Sequence, residues 1–243
     1  MLDKSSPKPL YLQLEEILRT SIHNGEWEPN HAIPSEIELS RLYDVSRMTT
    51  RSVVTQLVNE GLLYRVQGKG TFVAEPKITT QSLAYMGVRE QLERMGYQIE
   101  TKLVDFSETK ADARVSDILE VSAGDALYYI RRVRFADGKH ISLHTSYIPQ
   151  SLAPGLTDEN LESEQLCVIL KRQFGLDPAS VSETLESVLA NDKEADLLKI
   201  DRRFPLLMLE DVNKTASGKI FEYSKVLFRG DKIKLRFEYD NNS

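Results

Sequence analysis

The chain has one cysteine, one tryptophan and four histidines in 243 residues. Because Cys167 is alone, an intrachain disulfide cannot form, and metal sites built from several thiolates are excluded. No apolar run approaches the length that crosses a bilayer, and residues 1–4 do not lead into the apolar segment of a secretory signal. These shortages predict a protein of the reducing cytoplasm that does not enter membranes.

Familiar catalytic motifs are missing as well. The chain contains no H-E-x-x-H, no P-loop and no Ser, His, Asp order typical of nucleophilic hydrolases. His140 and His144 are four residues apart on a predicted strand and would share one face, but no third metal ligand is suggested beside them. The sequence therefore predicts neither a cofactor nor a metal site.

The net charge of −6 argues against indiscriminate binding of nucleic acid. Residues 41–69 have the opposite balance, because five basic residues stand against two acidic ones. These are Arg41, Arg47, Arg51, Arg65 and Lys69 against Asp44 and Glu60. A locally basic segment in an acidic chain favours a defined, salt-dependent contact with nucleic acid.

The basic segment has the pattern of two short helices followed by a hairpin. The spacing predicts helices over 35–43 and 46–60, the first opened by Ser35 and Glu38 as a capping box. Strand-like residues on both sides of a glycine-containing tip at 67–70 predict a β-hairpin. Two helices followed by a basic wing form a winged helix-turn-helix, which typically reads DNA.

The start of the second helix carries the candidate base readers. Arg47, Thr49, Thr50 and Arg51 are predicted to face outward, and the first turns of a recognition helix meet base edges in the major groove. Arginine matches guanine O6 and N7 with its planar fork. At the hairpin tip, two glycines beside a lysine would let the backbone approach phosphates. The alternative is a solvated helix face and an ordinary hairpin.

Residues 34–73 closely resemble the DNA-binding domain of the GntR family of bacterial regulators. The matching motifs are PSE, SRMT-x-R, L-x-x-EGLL and GKGTFV, in one correctly spaced stretch. The resemblance implies a winged helix over 1–74 that binds double-stranded operator DNA. The family usually has arginine at Ile37, so the operator is expected to differ there or one contact to be absent. The DNA contacts that the resemblance implies are Ser35, Arg47, Thr49, Thr50, Arg51, Gly68, Lys69 and Gly70.

The remaining sequence predicts a linker over 75–82 and an α+β domain over 83–243 with a largely antiparallel sheet. This domain resembles the UTRA domain of the HutC branch of GntR regulators. The resembling motifs are IRRVR at 130–134, SYIP at 146–149, and FEY followed by FRGD between 221 and 231. The resemblance implies a chorismate-lyase-like fold with an effector cavity over the sheet.

Arg132 and Arg134 alternate on one strand and therefore point to the same face, which favours an anionic ligand. A cross-strand ion pair on the surface is the alternative. In the resembling domains the two arginines hold the phosphate of a sugar phosphate and a glutamate, here Glu222, holds the sugar. The chain departs from that pattern at several positions, so another anion would also fit. The predicted effector contacts are Arg89, Arg132, Arg134, His144, Gln165, Cys167, Glu222 and Phe228.

Together these features predict a metabolite-responsive repressor that binds a palindromic operator as a homodimer, joined through its second domain. Such a regulator works in the bacterial cytoplasm and is nucleoid-associated when it is bound to DNA. One alternative is an enzyme of chorismate-lyase-like fold with a DNA-binding head, although a fold alone does not carry activity. Another alternative is an architectural DNA-binding protein that responds to no ligand.

Overall fold

A computed structural model of the chain describes residues 2–81 and 88–236. Residue 82 of the predicted linker, and 83–87 and 237–243 of the predicted second domain, lie outside the described residues. The chain divides into two compact units, 1–77 and 78–243. Among the described residues, no helix combines the length and the apolar character that a membrane span requires.

The first unit is a three-helix head with a two-stranded wing, and it contains the two helices and the hairpin that were predicted. Its elements are α1 (Leu10–His23), α2 (Glu36–Leu42), α3 (Arg47–Asn59), β1 (Leu63–Val66) and β2 (Gly70–Val73). The helices pack around fully buried leucines, among them Leu14, Leu18, Leu39 and Leu57. β1 and β2 are antiparallel, and Ile33 joins the wing by donating its amide hydrogen to the carbonyl oxygen of Thr71 at 2.9 Å.

Local capping fixes the two helices of the helix-turn-helix. The Ser35 hydroxyl accepts from the amide of Glu38 at 3.2 Å, and the Glu38 carboxylate accepts from the amide of Ser35 at 2.8 Å, which completes the predicted capping box. Ser46 caps α3 by accepting from the amide of Thr49 at 3.0 Å. Gly61 follows α3 at a φ of 75°, a left-handed conformation that favours glycine. These caps define where α2 and α3 begin and where α3 ends.

The second unit is an α+β domain with a mainly antiparallel sheet, as predicted. Its helices are α4 (Val88–Arg94), α5 (Ala113–Leu119), α6 (Leu166–Phe174) and α7 (Asp192–Leu198), with short 3-10 helices at Gln150–Leu152 and Leu156–Asp158. Its strands are β3 (Ile78–Gln81), β4 (Ile99–Lys110), β5 (Ala126–Ala136), β6 (Lys139–Pro149), β7 (Ser180–Leu189), β8 (Pro205–Lys214), β9 (Ile220–Arg229) and β10 (Ile233–Arg236). Six of them form an antiparallel sheet in the order β4-β5-β6-β9-β8-β7.

The predicted linker over 75–82 is wrong for half of its length. Residues 78–81 form β3, which pairs in parallel with β10 over 233–236. The amide of Ile78 donates to the carbonyl oxygen of Lys232 at 2.7 Å, and the side chains of Ile78 and Ile233 are buried together. The segment is mostly polar, so its sequence did not indicate this strand, which is held in place by the buried side chain of Ile78.

The large sheet has two differently covered faces. The front face, defined here as the face that carries Arg132 and Arg134, is covered by α6 towards one end and by α4 with the β3–β10 pair towards the other. The back face packs against α5 and α7. The two apolar clusters of the front face leave polar residues between them, and a cavity of the second unit lies there.

A β-bulge separates the two histidines that were predicted to share a face. The register shifts between Arg134, which pairs with Ser142, and Phe135, which pairs with His140. One extra residue in β6 therefore places His140 on the back face, with its ring 4.5 Å from that of Phe135, while His144 lies opposite Arg132 on the front face. The shared-face prediction is wrong because the bulge breaks the strict alternation of β6.

Candidate nucleic-acid interface and ligand pocket

The exposed side of α3 presents two arginines one helical turn apart. Arg47 and Arg51 are exposed, and neither has an ion-pair partner among the residues that the structure describes. Residues four apart on a helix are neighbours on one face, so the two guanidiniums can act on the same DNA groove. Met48 is also 73% exposed in this first turn, a large apolar contact that the sequence reasoning did not consider.

The three hydroxyl residues predicted to contact DNA differ in their availability. Thr50 is fully buried, and its hydroxyl donates to the carbonyl oxygen of Ser46 at 3.3 Å, so the prediction that it faces outward is wrong. It belongs to the buried stripe of α3 with Val53 and Val54, three and four residues further on. Thr49 is half-buried against Ser46, whereas Ser35 is exposed at the start of α2.

The tip of the wing is exposed and cationic. Gly68 has a φ of 75° and Gly70 a φ of 129°, and a Cβ at either would meet nothing within 4 Å. Lys69 lies between them and is without an ion-pair partner within residues 2–81 and 88–236. Arg65, by contrast, is paired with Glu36 at 3.0 Å. Arg47, Arg51 and Lys69, the three cations among the predicted DNA contacts, are therefore unpaired within the described residues.

A cavity of about 130 Å³ lies over the front face of the large sheet. Six of the eight predicted effector residues line it: Arg132, Arg134, His144, Gln165, Cys167 and Glu222. The sequence reasoning missed six further lining residues, which are Ser146, Leu166, Asp211, Asn213, Ser224 and Val226. Four of these are on β8 and β9, where they alternate with residues that face the back of the sheet. The sequence alone does not show which of the two sets faces the cavity, and only the strand register decides it.

One end of the cavity is cationic. Arg132 and Arg134 are each 6% exposed, and neither forms an ion pair with any described residue. Arg132 donates to the Ser146 hydroxyl at 3.4 Å, and the Nε atoms of both arginines are buried without a hydrogen-bond partner in the described part of the chain. Burial, together with the charge of Arg132, lowers the pKa of Arg134 to about 9. Because both side chains are buried and have no ion pair among the described residues, the alternative of a surface ion pair is wrong.

His144 lies beside the arginines and is uncharged at neutral pH. Its Nε2 is 2.8 Å from the Ser142 hydroxyl, and the residue is 8% exposed. Burial first, and then the charges of Arg134 and Arg132, hold the pKa of His144 well below its usual value. It offers a neutral polar contact. Among the described residues no group of three or more metal-ligating side chains is placed to hold an ion.

The other end of the cavity is acidic. The Glu222 carboxylate accepts from the Asn213 amide at 3.1 Å, and one oxygen of Asp211 accepts from the Ser224 hydroxyl at 3.1 Å. The second oxygen of Asp211, Oδ1, is buried and has no hydrogen-bond partner among the described residues. Burial, reinforced by the carboxylates of Glu183 and Glu222, raises the pKa of Asp211 to about 7.

Two predicted effector residues do not line the cavity. Arg89 pairs with Glu93 at 2.7 Å and donates to the carbonyl oxygen of Ser163 at 3.4 Å, although its charge still helps to lower the pKa of Arg134. Phe228 is fully buried in an apolar cluster, with its ring 6.3 Å from that of His144. The prediction that Phe228 contacts a ligand is therefore wrong, because its ring is buried in the front-face core beside His144.

Comparison with known proteins agrees with this architecture. The family model for bacterial regulatory proteins of the gntR family matches residues 10–73, and the UTRA domain model matches 94–234. The chain is 32% identical over 231 residues to the HTH-type transcriptional repressor NagR of Bacillus subtilis (strain 168), covering 95% of each chain. It is 29% identical over 213 residues to the histidine utilization repressor of Pseudomonas putida, covering 88% of this chain and 84% of that protein.

The solved structures give the same assignment. The crystal structure of PhnF from Mycobacterium smegmatis superposes with a TM-score of 0.67 at 26% identity, covering 94% of this chain and 100% of that one. The relatives described above are named as repressors, and the alternative of an enzyme with a DNA-binding head is set aside on that ground. The chain belongs to the GntR family of bacterial regulatory proteins, in its HutC branch with a UTRA domain, and is a DNA-binding transcriptional repressor.

Proposed function

We propose that the chain binds a palindromic operator as a homodimer and that a small anion, held by Arg132 and Arg134, lowers its affinity for that operator. The observation that carries this proposal is the pair of buried guanidiniums that line one cavity without a carboxylate partner among the described residues. Burying two like charges side by side is costly, and an anion between them offsets that cost. A phosphate group, alone or on a sugar, has the charge and the acceptor oxygens to match both forks.

The homodimer follows from the size of one head. A single winged helix buries too little surface for tight specific binding, and two-fold symmetry lets two heads read the halves of a palindrome. In each head the contacts would be Arg47 and Arg51 on α3 and Lys69 on the wing. This repressor would act in the bacterial cytoplasm and lie on the nucleoid while its operator is occupied.

Cys167 provides a native reporter for the anion. It is the only cysteine of the chain and it lines the cavity in the first turn of α6. An anion bound at the arginines should slow alkylation of this thiol by iodoacetamide. We would measure that rate in the full chain with inorganic phosphate, sulfate and glucose 6-phosphate. The same additions would then be tested for release of a DNA duplex that the chain has selected from a random pool.

Substitutions in the cavity can separate anion binding from DNA binding. Arg132→Gln and Arg134→Gln should lose protection of Cys167 and release of DNA, while they keep affinity for the selected duplex. Arg131→Gln is the matched control, because Arg131 is on the same strand but faces the back of the sheet, over the ring of Tyr129. Protection that persists in both front-face variants would contradict the assignment of the anion site.

A further inference from the structure

We propose that the effector is zwitterionic and that, besides its anionic group, it carries a protonated amine bound by Asp211 at the acidic end of the cavity. This rests on the proposed function, because the anion is still placed at Arg132 and Arg134. The new elements are the second charge of the ligand and the residue that selects it.

The cavity holds buried charges of both signs, and Glu222 of the acidic end attracts Arg132 without forming an ion pair with it. The two arginines are on β5, whereas Asp211 is on β8, and β6 and β9 lie between these strands. Neighbouring strands are about 4.8 Å apart, so the backbones of β5 and β8 are separated by roughly 14 Å. Among the described residues no ion pair joins the two ends. A ligand that spans the cavity meets a cationic end and an acidic end.

One carboxylate oxygen of Asp211 lacks a hydrogen-bond donor among the described residues. The residue is 9% exposed, Ser224 supplies a hydrogen bond to one carboxylate oxygen, and Oδ1 is buried with no partner in the described residues. A buried carboxylate oxygen without a donor is costly. Since Asp211 lines the cavity, a ligand can supply that donor.

The neighbours of Asp211 make a cationic donor fit better than a neutral one. Glu183 on β7 is in register with Asp211, and Glu222 on β9 lines the same end of the cavity. Their negative potential disfavours an additional carboxylate charge and favours a positive ligand group. An ammonium offers three donors and one positive charge, so it can satisfy Oδ1 and relieve the repulsion together.

The same groups predict how binding depends on pH. The charged and titratable groups that line the cavity with Asp211 are Glu222 from β9, Arg132 and Arg134 from β5, His144 from β6 and Cys167 from α6, and Glu183 from β7 lies beside Asp211. His144 stays neutral, and burial raises the pKa of the Cys167 thiol, so neither ionises between about pH 6 and pH 8. Burial also raises the pKa of Glu222, and Asp211, with a pKa of about 7, ionises in this range, so the negative charge of this end and its preference for an amine should grow as the pH rises.

The test uses pairs of probes that differ in the amine. Protection of Cys167 in the full chain is measured with phosphoethanolamine against ethyl phosphate, and with glucosamine 6-phosphate against glucose 6-phosphate. In at least one pair the amine-bearing member should protect at about tenfold lower concentration, the ratio expected for one hydrogen bond to a charged group. Asp211→Asn should abolish this preference. Asp196→Asn, an exposed aspartate on α7, should retain it.

The outcomes separate the inference from the proposed function. Equal protection within both pairs, or stronger protection by the amine-free members, overturns the zwitterion while leaving the anion site intact. Protection by magnesium chloride instead of the amines overturns it in favour of a metal ion. If phosphate and all four esters fail to protect, both proposals fall. Should Asp211→Asn not fold, the unmodified chain still decides, because its amine preference must grow between about pH 6 and pH 8.

Discussion

At the scale of single residues, the two units place charge in opposite environments. Arg47 and Arg51 are exposed on α3, where a guanidinium is hydrated and costs little. Arg132 and Arg134 are buried beside each other, where each charge carries a desolvation penalty. The exposed pair suits a partner that brings its own charge and hydration, such as DNA, and the buried pair suits a small anion that fills a cavity.

The exposed pair gives the first prediction. Arg47→Ala should weaken binding to the selected duplex by roughly 1–3 kcal/mol if the side chain reads a guanine, and should relax specificity at that base pair. Lys69→Ala should weaken binding to all duplexes alike and reduce the salt dependence by about one phosphate contact. Fluorescence anisotropy at several salt concentrations would measure both, with Arg202→Ala in the second unit as control. An Arg47→Ala variant of unchanged affinity and specificity would remove Arg47 from the base contacts.

Asp211 gives a prediction about stability. Its pKa is raised to about 7 in the folded chain, so the folded state binds more protons than the unfolded state between about pH 4 and pH 7. The stability that this carboxyl contributes is therefore present at low pH and is lost as the pH rises through 7. Asp211→Asn removes the ionisation, and its stability relative to the unmodified chain should increase by about 2–3 kcal/mol between pH 5 and pH 8.

Urea unfolding followed by circular dichroism at about pH 5 and pH 8 would measure this difference. The only tryptophan, Trp27, is in the first unit, so its fluorescence reports that unit separately. Asp196→Asn, on the exposed side of α7, serves as the control. A constant difference between Asp211→Asn and the unmodified chain at the two pH values would show that Asp211 is ionised in both.

At the scale of elements, the wing depends on two backbone conformations that are not equivalent. Gly68 has a φ of 75°, close to the left-handed region that asparagine tolerates, whereas Gly70 has a φ of 129°, which suits glycine alone. Neither position is crowded, so strain of the backbone is the sole cost of a side chain there. The hairpin between β1 and β2 can therefore be weakened without touching the core of the head.

This difference predicts unequal effects of the same substitution. Gly68→Asn should change the stability of the first unit by less than about 1 kcal/mol, while Gly70→Asn should cost roughly 1–3 kcal/mol and weaken DNA binding. Urea unfolding followed by Trp27 fluorescence would measure the first unit, and protection of Cys167 would verify that the second unit is unaffected. Equal losses at the two glycines would show that the wing does not require the backbone conformation at Gly70.

Most elements of the fold, but fewer details of the sites, could be predicted from the sequence. Capping boxes and helical periodicity are local signals, and they placed α2 and α3 to within about two residues. The bulge in β6, the burial of Thr50 and Phe228, and the pairing of β3 with β10 depend on tertiary contacts. Asp211 was missed because the polar residues of β8 point to both faces of the sheet, and only the strand register shows which of them line the cavity.

At the scale of the whole molecule, the proposal couples two binding events on different units. The proposed DNA contacts are in residues 1–77 and the proposed anion site is in residues 78–243. If the anion lowers operator affinity by some factor, linkage requires that the operator lower anion affinity by the same factor. For a regulator of this kind the factor is typically about 5 to 150. Because the coupling is reciprocal, the same coupling factor can be measured independently from operator affinity and from anion affinity.

The last prediction is that these two factors agree. Operator affinity would be measured by anisotropy with and without saturating anion, and anion affinity by protection of Cys167 with and without saturating operator. Arg134→Gln should bring both factors to about one, because it removes the anion site and leaves α3 intact. Thermodynamic linkage allows no difference between the two factors at equilibrium. A change in operator affinity without the matching change in anion affinity would therefore mean that the probe acts at the DNA contacts, by competing with phosphates for Arg47, Arg51 and Lys69, and not through the cavity.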